Sequence, residues 1–366
     1  MLSNRYSLLG RSGLRVSPFC LGAMTFGSTN KFNAGAWGTD EETARKLFDL
    51  YVDAGGNFVD TAVTYMTGQS EELVGAFIRD RGLRDRIVIG TKFTPSTDEH
   101  NPNASGNGRK NIHSAVETSL RRLGADYIDL YWMHFWDMVT PADEVVGTLD
   151  GLVKSGKILH YGLSNVPAWY LAQAHAIATR SGKERPIALQ MEYSLVSRYI
   201  EREHIPATQE LGVGVCTWSP LGSGFLSGKY KSLDTARTAD HGTEEVSKGR
   251  LDTMSGSPLF DRNKERNWRI LQTLHEVAAE MGTPPAQVAL AWLAGRPGVT
   301  SIILGATRVE QFVQNLGAAA LAIPAELRQR LDSASAIDIV SPHEFFVEPH
   351  KSMLRGKFDL APWRPS

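Results

Sequence analysis

The stretch Asn57-Phe58-Val59-Asp60-Thr61-Ala62-Val63-Thr64-Tyr65-Met66-Thr67-Gly68-Gln69-Ser70-Glu71-Glu72 begins as a strand and ends as a helix. Phe58 and Val59 are apolar, and Asp60 stands where that strand stops. Thr61 to Gln69 is loop-like, with Tyr65 as its one aromatic residue. Ser70-Glu71-Glu72 reads as a helix N-terminus, a hydroxyl cap with two carboxylates toward the positive end of the dipole. Asp60 and Tyr65 therefore fall at the carboxyl end of a strand, in its strand-to-helix loop. In parallel α/β folds that edge carries chemistry. The alternative for this fragment alone is a capping Asp and a packing Tyr, and the rest of the chain decides.

Outward from this unit the pattern repeats. Before it, Tyr6–Leu9 and Leu14–Val16 flank Gly10-Arg11-Ser12-Gly13, a hairpin signal expected to lie over one end of the fold. Ser17–Leu21 reads as a first core strand. Thr39-Asp40-Glu41-Glu42 matches a capping box, followed by Ala44, Leu47, Phe48 and Tyr51 at helical spacing. After it, strands are expected at Arg86–Lys92, Tyr127–His134, Ile158–Leu163, Ile187–Gln190, Val213–Trp218 and Thr300–Leu304, with helices between them. Eight strands alternating with helices imply parallel pairing and fit a (β/α)₈ TIM barrel with an N-terminal β-hairpin. One domain over residues 1–366 is expected, with 338–366 as an aperiodic tail. Phe345, Phe346 and Trp363 make that tail aromatic, either a cover for the pocket mouth or a disordered end.

Composition excludes several classes. The 366 residues are 42% hydrophobic and 22% charged, with a net charge of -1, so nothing selects a nucleic-acid or membrane surface. The N-terminus lacks a hydrophobic signal core and no apolar run reaches membrane-spanning length. Cys20 and Cys216 lie in apolar runs and form no metal spacing, which fits buried free thiols and a cytoplasmic protein. The histidines share no element at ligand spacing, so no metal is expected.

Chemistry in such a barrel collects where strands end. The second strand ends at Asp60, with Tyr65 in its loop; the third ends at Lys92 and the fourth at His134. A Lys that terminates an apolar strand needs a partner, because a buried ammonium is costly alone. Asp60 on the neighbouring strand supplies one. A phenol is too weak an acid to protonate an alkoxide efficiently at neutral pH, and an adjacent cation corrects that. Lys92 can lower the pKa of Tyr65, Asp60 can orient Lys92, and His134 can donate to a carbonyl oxygen. That set suits carbonyl reduction with a hydride from a cofactor.

The chain resembles the aldo-keto reductase family over nearly its whole length. The matching pieces are Leu21-Gly22-Ala23-Met24-Thr25-Phe26-Gly27, Asp60-Thr61-Ala62 with Tyr65 and Ser70-Glu71, Thr91-Lys92, Gly162-Leu163-Ser164-Asn165, Ser219-Pro220-Leu221-Gly222, Gly228-Lys229-Tyr230 and Leu304-Gly305-Ala306-Thr307, with Gln311 and Asn315. The resemblance implies the tetrad Asp60, Tyr65, Lys92 and His134. Where the family pattern has Gly after the Tyr, this chain has Met66, expected to line the pocket. Met133–Asp137 and Pro167–Trp169 look like the branch of aryl-alcohol dehydrogenases and potassium-channel β-subunit-like reductases.

The resemblance further implies NADP(H) as cofactor, held by Gly22, Ala23, Met24, Asp60, Ser164, Asn165, Gln190, Trp218, Ser219, Pro220, Leu221, Gly222, Ser223, Lys229, Gly305, Thr307, Arg308, Gln311 and Asn315. Trp218 can stack on a nicotinamide, while Ser164, Asn165 and Gln190 can hydrogen-bond its carboxamide. Arg308 or Lys229 can pair with a 2′-phosphate at the last helix. Neither a Rossmann glycine motif between a strand and a helix nor a P-loop is present. Met24, Trp37, Met66, Phe135, Trp136 and Trp169 are expected in the substrate pocket, an apolar set suited to aromatic aldehydes or ring ketones. Two rivals are a Schiff-base aldolase using Lys92 and a slow NADPH-binding redox sensor.

Overall fold

The structure is a computed structural model, and it describes residues 5–28, 38–230, 261–356 and 358. Two short strands, β1 (Ser7–Leu8) and β2 (Arg15–Val16), pair antiparallel as the expected hairpin. Eight parallel strands then close a barrel: β3 (Phe19–Gly22), β4 (Phe58–Asp60), β5 (Val88–Phe93), β6 (Ile128–Met133), β7 (Ile158–Ser164), β8 (Ala188–Glu192), β9 (Gly214–Trp218) and β10 (Val299–Leu304), with β10 returning to β3. Around them lie α1 (Glu41–Asp53), α2 (Gln69–Asp80), α3 (Arg109–Leu123), α4 (Ala142–Lys154), α5 (Ala168–Arg180), α6 (His204–Leu211), α7 (Glu265–Glu280), α8 (Pro285–Ala294), α9 (Val309–Leu316) and α10 (Ala325–Ala334). The parallel barrel expected from the alternation is the observed architecture.

Strand alternation sorts the side chains. Phe58, Val88, Leu130 and Trp132 face the barrel interior beside Cys20, Ala188, Cys216 and Ile303. Val59, Ile89, Tyr131 and Met133 pack outward under the helices. The same two-residue period carries the chain from Phe58 to Asp60, from Val88 to Lys92 and from Trp132 to His134, all buried at the carboxyl ends of adjacent strands. Trp132 fits inside because its neighbours are small. A Cβ on Gly162 would run into the indole, and one on Gly90 would lie 3.1 Å from its Nε1.

The amino end of the barrel is closed by the hairpin. Leu9 and Val16 are fully buried in the interior cluster. Arg11 N–H donates to the Gly212 carbonyl at 2.8 Å, and Gly10 turns with φ +58 against the Gly214 backbone. Cys20 and Cys216 are free and buried in the interior.

Local signals were shifted in three places. The cap of α1 is Asp40, whose carboxylate accepts from Thr43 N–H at 2.7 Å; Thr39 instead donates to the Thr25 carbonyl. Ser70 does not cap α2, which follows Gly68; its hydroxyl bonds the Ala23 carbonyl and Thr61, tying α2 to the mouth of β3. Helix α8 gives no amphipathic signal because Ala286 and Val288–Leu293 are buried on nearly every face. Of the long 221–264 segment, only residues up to 230 and from 261 are described.

By internal contacts the chain divides into two compact units, Met1–Ser335 and Ala336–Ser366. The second holds α11 (His350–Arg355) and a short turn over His343–Phe346. Within it Phe345 meets His350 and Phe346 meets His343 edge-on, while both Phe side chains stay exposed. Trp363 lies outside the described residues.

Candidate active site

The mouth is built on three strand ends. Lys92 Nζ is fully buried and paired with the Asp60 carboxylate. It also donates to the Thr61 carbonyl at 2.7 Å and lies 3.3 Å from the Tyr65 hydroxyl. Burial opposes the ammonium, but Asp60 and Tyr65 more than offset it, so the pKa of Lys92 is raised. Burial pushes the Asp60 carboxyl up, while Lys92, Gln190 and Trp132 hold it down. Gln190 Nε2 donates to Asp60 Oδ1 at 3.2 Å. The Trp132 indole N–H meets no acceptor in good hydrogen-bond geometry, yet it stands near enough to favour the carboxylate.

Tyr65 opens a tight turn. Met66 and Thr67 follow with φ +47 and +57, and Gly68 with φ +102. Left-handed backbone at two consecutive non-glycine residues costs about 1 kcal/mol each, which explains why a glycine after the Tyr suits this turn. Met66 is buried against Gly27 and Gly38, under the β3–α1 connection.

His134 completes the group. Its ring meets Tyr65 edge-on at 5.8 Å between centroids and stacks on Phe135 at 4.3 Å. Burial, and then the charge of Lys92, hold its pKa well below the ordinary value, so the imidazole is neutral. Its Nδ1 is buried and meets no partner among the described residues. A neutral ring that carries its proton on Nε2 leaves only a lone pair there, and the opposite nitrogen becomes the donor.

The segment after His134 is fixed by polar contacts. Asn107, fully buried, donates through Nδ2 to the Phe135 carbonyl at 2.9 Å and accepts from Thr94 at 2.6 Å. Asp137 accepts from Thr140 and from Asn107 N–H. Phe135 and Trp169 are exposed, and Trp136 meets Trp169 edge-on at 5.3 Å. Asn107 and Thr94 gave no sequence signal, since each looks like an ordinary loop residue.

The remaining expected residues divide. Ser164 is buried at the end of β7, and Asn165 follows at φ +50. Asn165 Nδ2 donates to the His134 carbonyl and to Ser164, and its Oδ1 accepts from Trp218 Nε1 at 3.1 Å. The side chains of Asn165 and Gln190 thus brace the strand ends and the tetrad. Ser219, Gly222, Ser223 and Gly224 all take positive φ after β9, and among the described residues nothing lies within 4 Å of a Cβ placed on Gly224. Pro220 is buried, Leu221 is half-buried, and Lys229 lies over the Tyr230 ring. Gly22 and Ala23 are buried, and Met24 is half-buried. Gly305, Thr307 and Arg308 are exposed before α9, with Gln311 half-buried and Asn315 buried on that helix. Trp37 lies outside the described residues. Among the described residues no cluster of His, Cys, Asp or Glu could hold a metal ion, and no helix is long and apolar enough to cross a membrane.

The model of the Aldo/keto reductase family matches residues 18–336. The chain is 34% identical over 365 residues to an aryl-alcohol dehydrogenase of Pestalotiopsis microspora, covering 98% of this chain and 89% of that one. It is 35% identical over 317 residues to a probable voltage-gated potassium channel subunit beta of Oryza sativa subsp. japonica, covering 86% and 90%. It is 31% identical over 346 residues to a norsolorinic acid reductase of Aspergillus flavus, covering 93% and 83%. A barrel with this match from its first barrel strand to its last helix belongs to the aldo/keto reductase family. Its class is that of a reductase or alcohol dehydrogenase.

Proposed function

We propose that the chain is an NADPH-dependent carbonyl reductase that interconverts aromatic aldehydes or ring ketones with their alcohols, with Tyr65 as the proton donor. The observation that carries this reading is the buried Lys92 ammonium, paired with Asp60 and 3.3 Å from the Tyr65 hydroxyl. A bound reduced nicotinamide supplies the hydride to the carbonyl carbon. The C=O electron pair moves onto oxygen, which takes its proton from Tyr65. Lys92 stabilises the phenolate left behind, and Asp60 keeps Lys92 charged and aimed. His134, neutral, donates to the carbonyl oxygen and orients it. The raised pKa of Lys92 argues against the aldolase, which needs a neutral amine.

The donor set fits a nicotinamide cofactor. Ser164 ends β7 with Asn165 after it, Gln190 lies on β8 and Trp218 ends β9. In the positive-φ turn that follows, a Cβ on Gly224 would meet nothing within 4 Å among the described residues, which suits close approach there. Arg308, exposed ahead of α9, would hold a 2′-phosphate. Phe135, Trp136 and Trp169 would give an apolar aromatic wall for the substrate, with Trp136 and Trp169 edge-on to each other. The name of the Pestalotiopsis relative, an aryl-alcohol dehydrogenase, agrees with an aromatic substrate. Two buried free thiols suit the cytoplasm.

NADPH oxidation measured across aryl aldehydes, quinones, ring ketones and aldoses tests the substrate class. Turnover limited to small charged aldehydes or phosphorylated sugars would defeat the aromatic reading. Tyr65→Phe is expected to lower kcat by about 10²–10⁴-fold with NADPH affinity unchanged. Arg308→Ala is expected to weaken NADPH far more than NADH. The rice relative supports a second reading, a slow redox-sensing subunit, which predicts tight NADPH binding with negligible turnover on every substrate.

A further inference from the structure

Behind the catalytic turn, on the side away from Lys92, lies a second ion pair, buried at its carboxylate and partly open at its guanidinium. Glu71 on α2 is fully buried, and Arg122 on α3 reaches its Oε2 at 3.2 Å. Glu71 Oε1 accepts from the hydroxyl of Thr91, the residue before Lys92, at 2.6 Å. Burial pushes the Glu71 carboxyl up, while Ser119, Thr91 and Arg122 hold it down.

The Arg122 guanidinium also touches the turn on both sides of Tyr65. Nη1 donates to the Val63 carbonyl, two residues before Tyr65, at 2.7 Å. The guanidinium then lies flat on Gly68, three residues after Tyr65, where a Cβ would stand 2.6 Å from Nη2. Between these points the chain holds the left-handed pair Met66 and Thr67. The inner face of the same turn is joined to β5 by Val63 N–H on the Lys92 carbonyl at 3.1 Å. A strained turn persists only where its surroundings over-determine it. Here one planar, five-donor side chain is anchored by a carboxylate that is itself tied to β5.

Resting on the proposed role of Tyr65, we infer that Arg122, held by Glu71, is a positioning residue that braces the Tyr65 turn and sets the Tyr65 hydroxyl against Lys92. It touches neither substrate nor cofactor. Its loss lets the turn relax and moves the proton donor, and a misplacement near 1 Å costs about 100-fold in rate.

The test compares Tyr65→Phe, Arg122→Ala and Arg122→Lys, each checked for the native circular-dichroism spectrum. Arg122→Ala is expected to lose about 10- to 100-fold in kcat, with NADPH affinity retained. Because part of the Arg122 side chain reaches solvent, added guanidinium ion at non-denaturing concentration should restore turnover in that variant. Arg122→Lys keeps the charge and can serve Val63 or Glu71, but it cannot lie across Gly68; its kcat should fall between the two. Wild-type turnover in either folded Arg122 variant overturns the inference. A loss without guanidinium rescue, matched by an equal loss of NADPH affinity, also overturns it, since that is general loosening. If Arg122→Ala does not fold, the Lys variant decides. An inactive Tyr65→Phe beside fully active Arg122 variants removes the brace alone, whereas a fully active Tyr65→Phe removes the proposed reaction itself.

Discussion

At the amino end of the barrel, Leu9 and Val16 of the hairpin enter the same apolar cluster as Cys20, Phe58 and Ala188. At the carboxyl end, the inward positions on three adjacent strands are taken by Asp60, Lys92 and His134. Both sets are removed from water, and both follow from the same two-residue period. One end is filled with carbon, which stabilises the fold in proportion to area. The other is filled with charge, whose desolvation is only partly offset by pairing. A shallow cleft also exists at the amino end, lined by Arg11, His160, His175 and Glu184, but the tetrad is at the opposite end. The contrast teaches that the hairpin end holds the barrel together while the mouth strains it, so substitutions at the two ends should separate stability from turnover.

Lys92→Met gives the largest expected effect, because it strikes both properties. It leaves Asp60 buried without its cation, at about 3–5 kcal/mol of stability, and removes the charge beside Tyr65. The double variant Lys92→Met/Asp60→Asn should recover most of the stability and none of the turnover. Urea unfolding with steady-state kinetics on both proteins checks this, and a stable, active single variant would erase the contrast. Leu9→Ala should behave oppositely. Truncating a fully buried Leu costs about 2–5 kcal/mol, while kcat on the folded protein stays near wild type. A large loss of turnover there would mean that the two ends are coupled.

The smallest effect is in pH. His134 has a depressed pKa in the folded state, so its neutral form is favoured. Below the ordinary value of 6.5 the unfolded chain takes up a proton that the folded chain refuses, and stability falls with pH at up to about 1.4 kcal/mol per unit. His160 and His175 are also depressed and add the same sign of slope. His134→Gln keeps their contribution and loses its own, so the Tm difference between the two proteins should narrow between pH 7.5 and 5.5. Parallel Tm curves would place a protonated His134 in the folded state.

The mouth was legible because each of its residues interrupts an apolar strand. Asp60, Lys92 and His134 stand where alternation calls for a hydrophobe, and that needs no partner to be seen. Arg122 was not legible. On α3 it sits among other basic residues and looks like a solvated helix face, and its partner Glu71 is 51 residues away. Glu71 read as a dipole-facing carboxylate because local pattern cannot show that its side chain is buried. Gln190 was expected at the cofactor, and its added bond to Asp60 gave no signal because it spans 130 residues. The α8 helix stayed hidden because burial on nearly every face removes the period that marks helices.

The closure of the barrel has a kinetic consequence. Ser301 on β10 donates its hydroxyl to the Ser17 carbonyl beside β3, a contact between residues 284 positions apart. Every other seam of the barrel joins strands that are neighbours in sequence, but the second edge of β3 waits for β10. Until β10 emerges from the ribosome, the edges of β3 and β9 are open and Cys20, Cys216 and Trp132 lack a finished enclosure. So late a contact of high sequence separation makes refolding slow and leaves exposed strand edges open to association meanwhile.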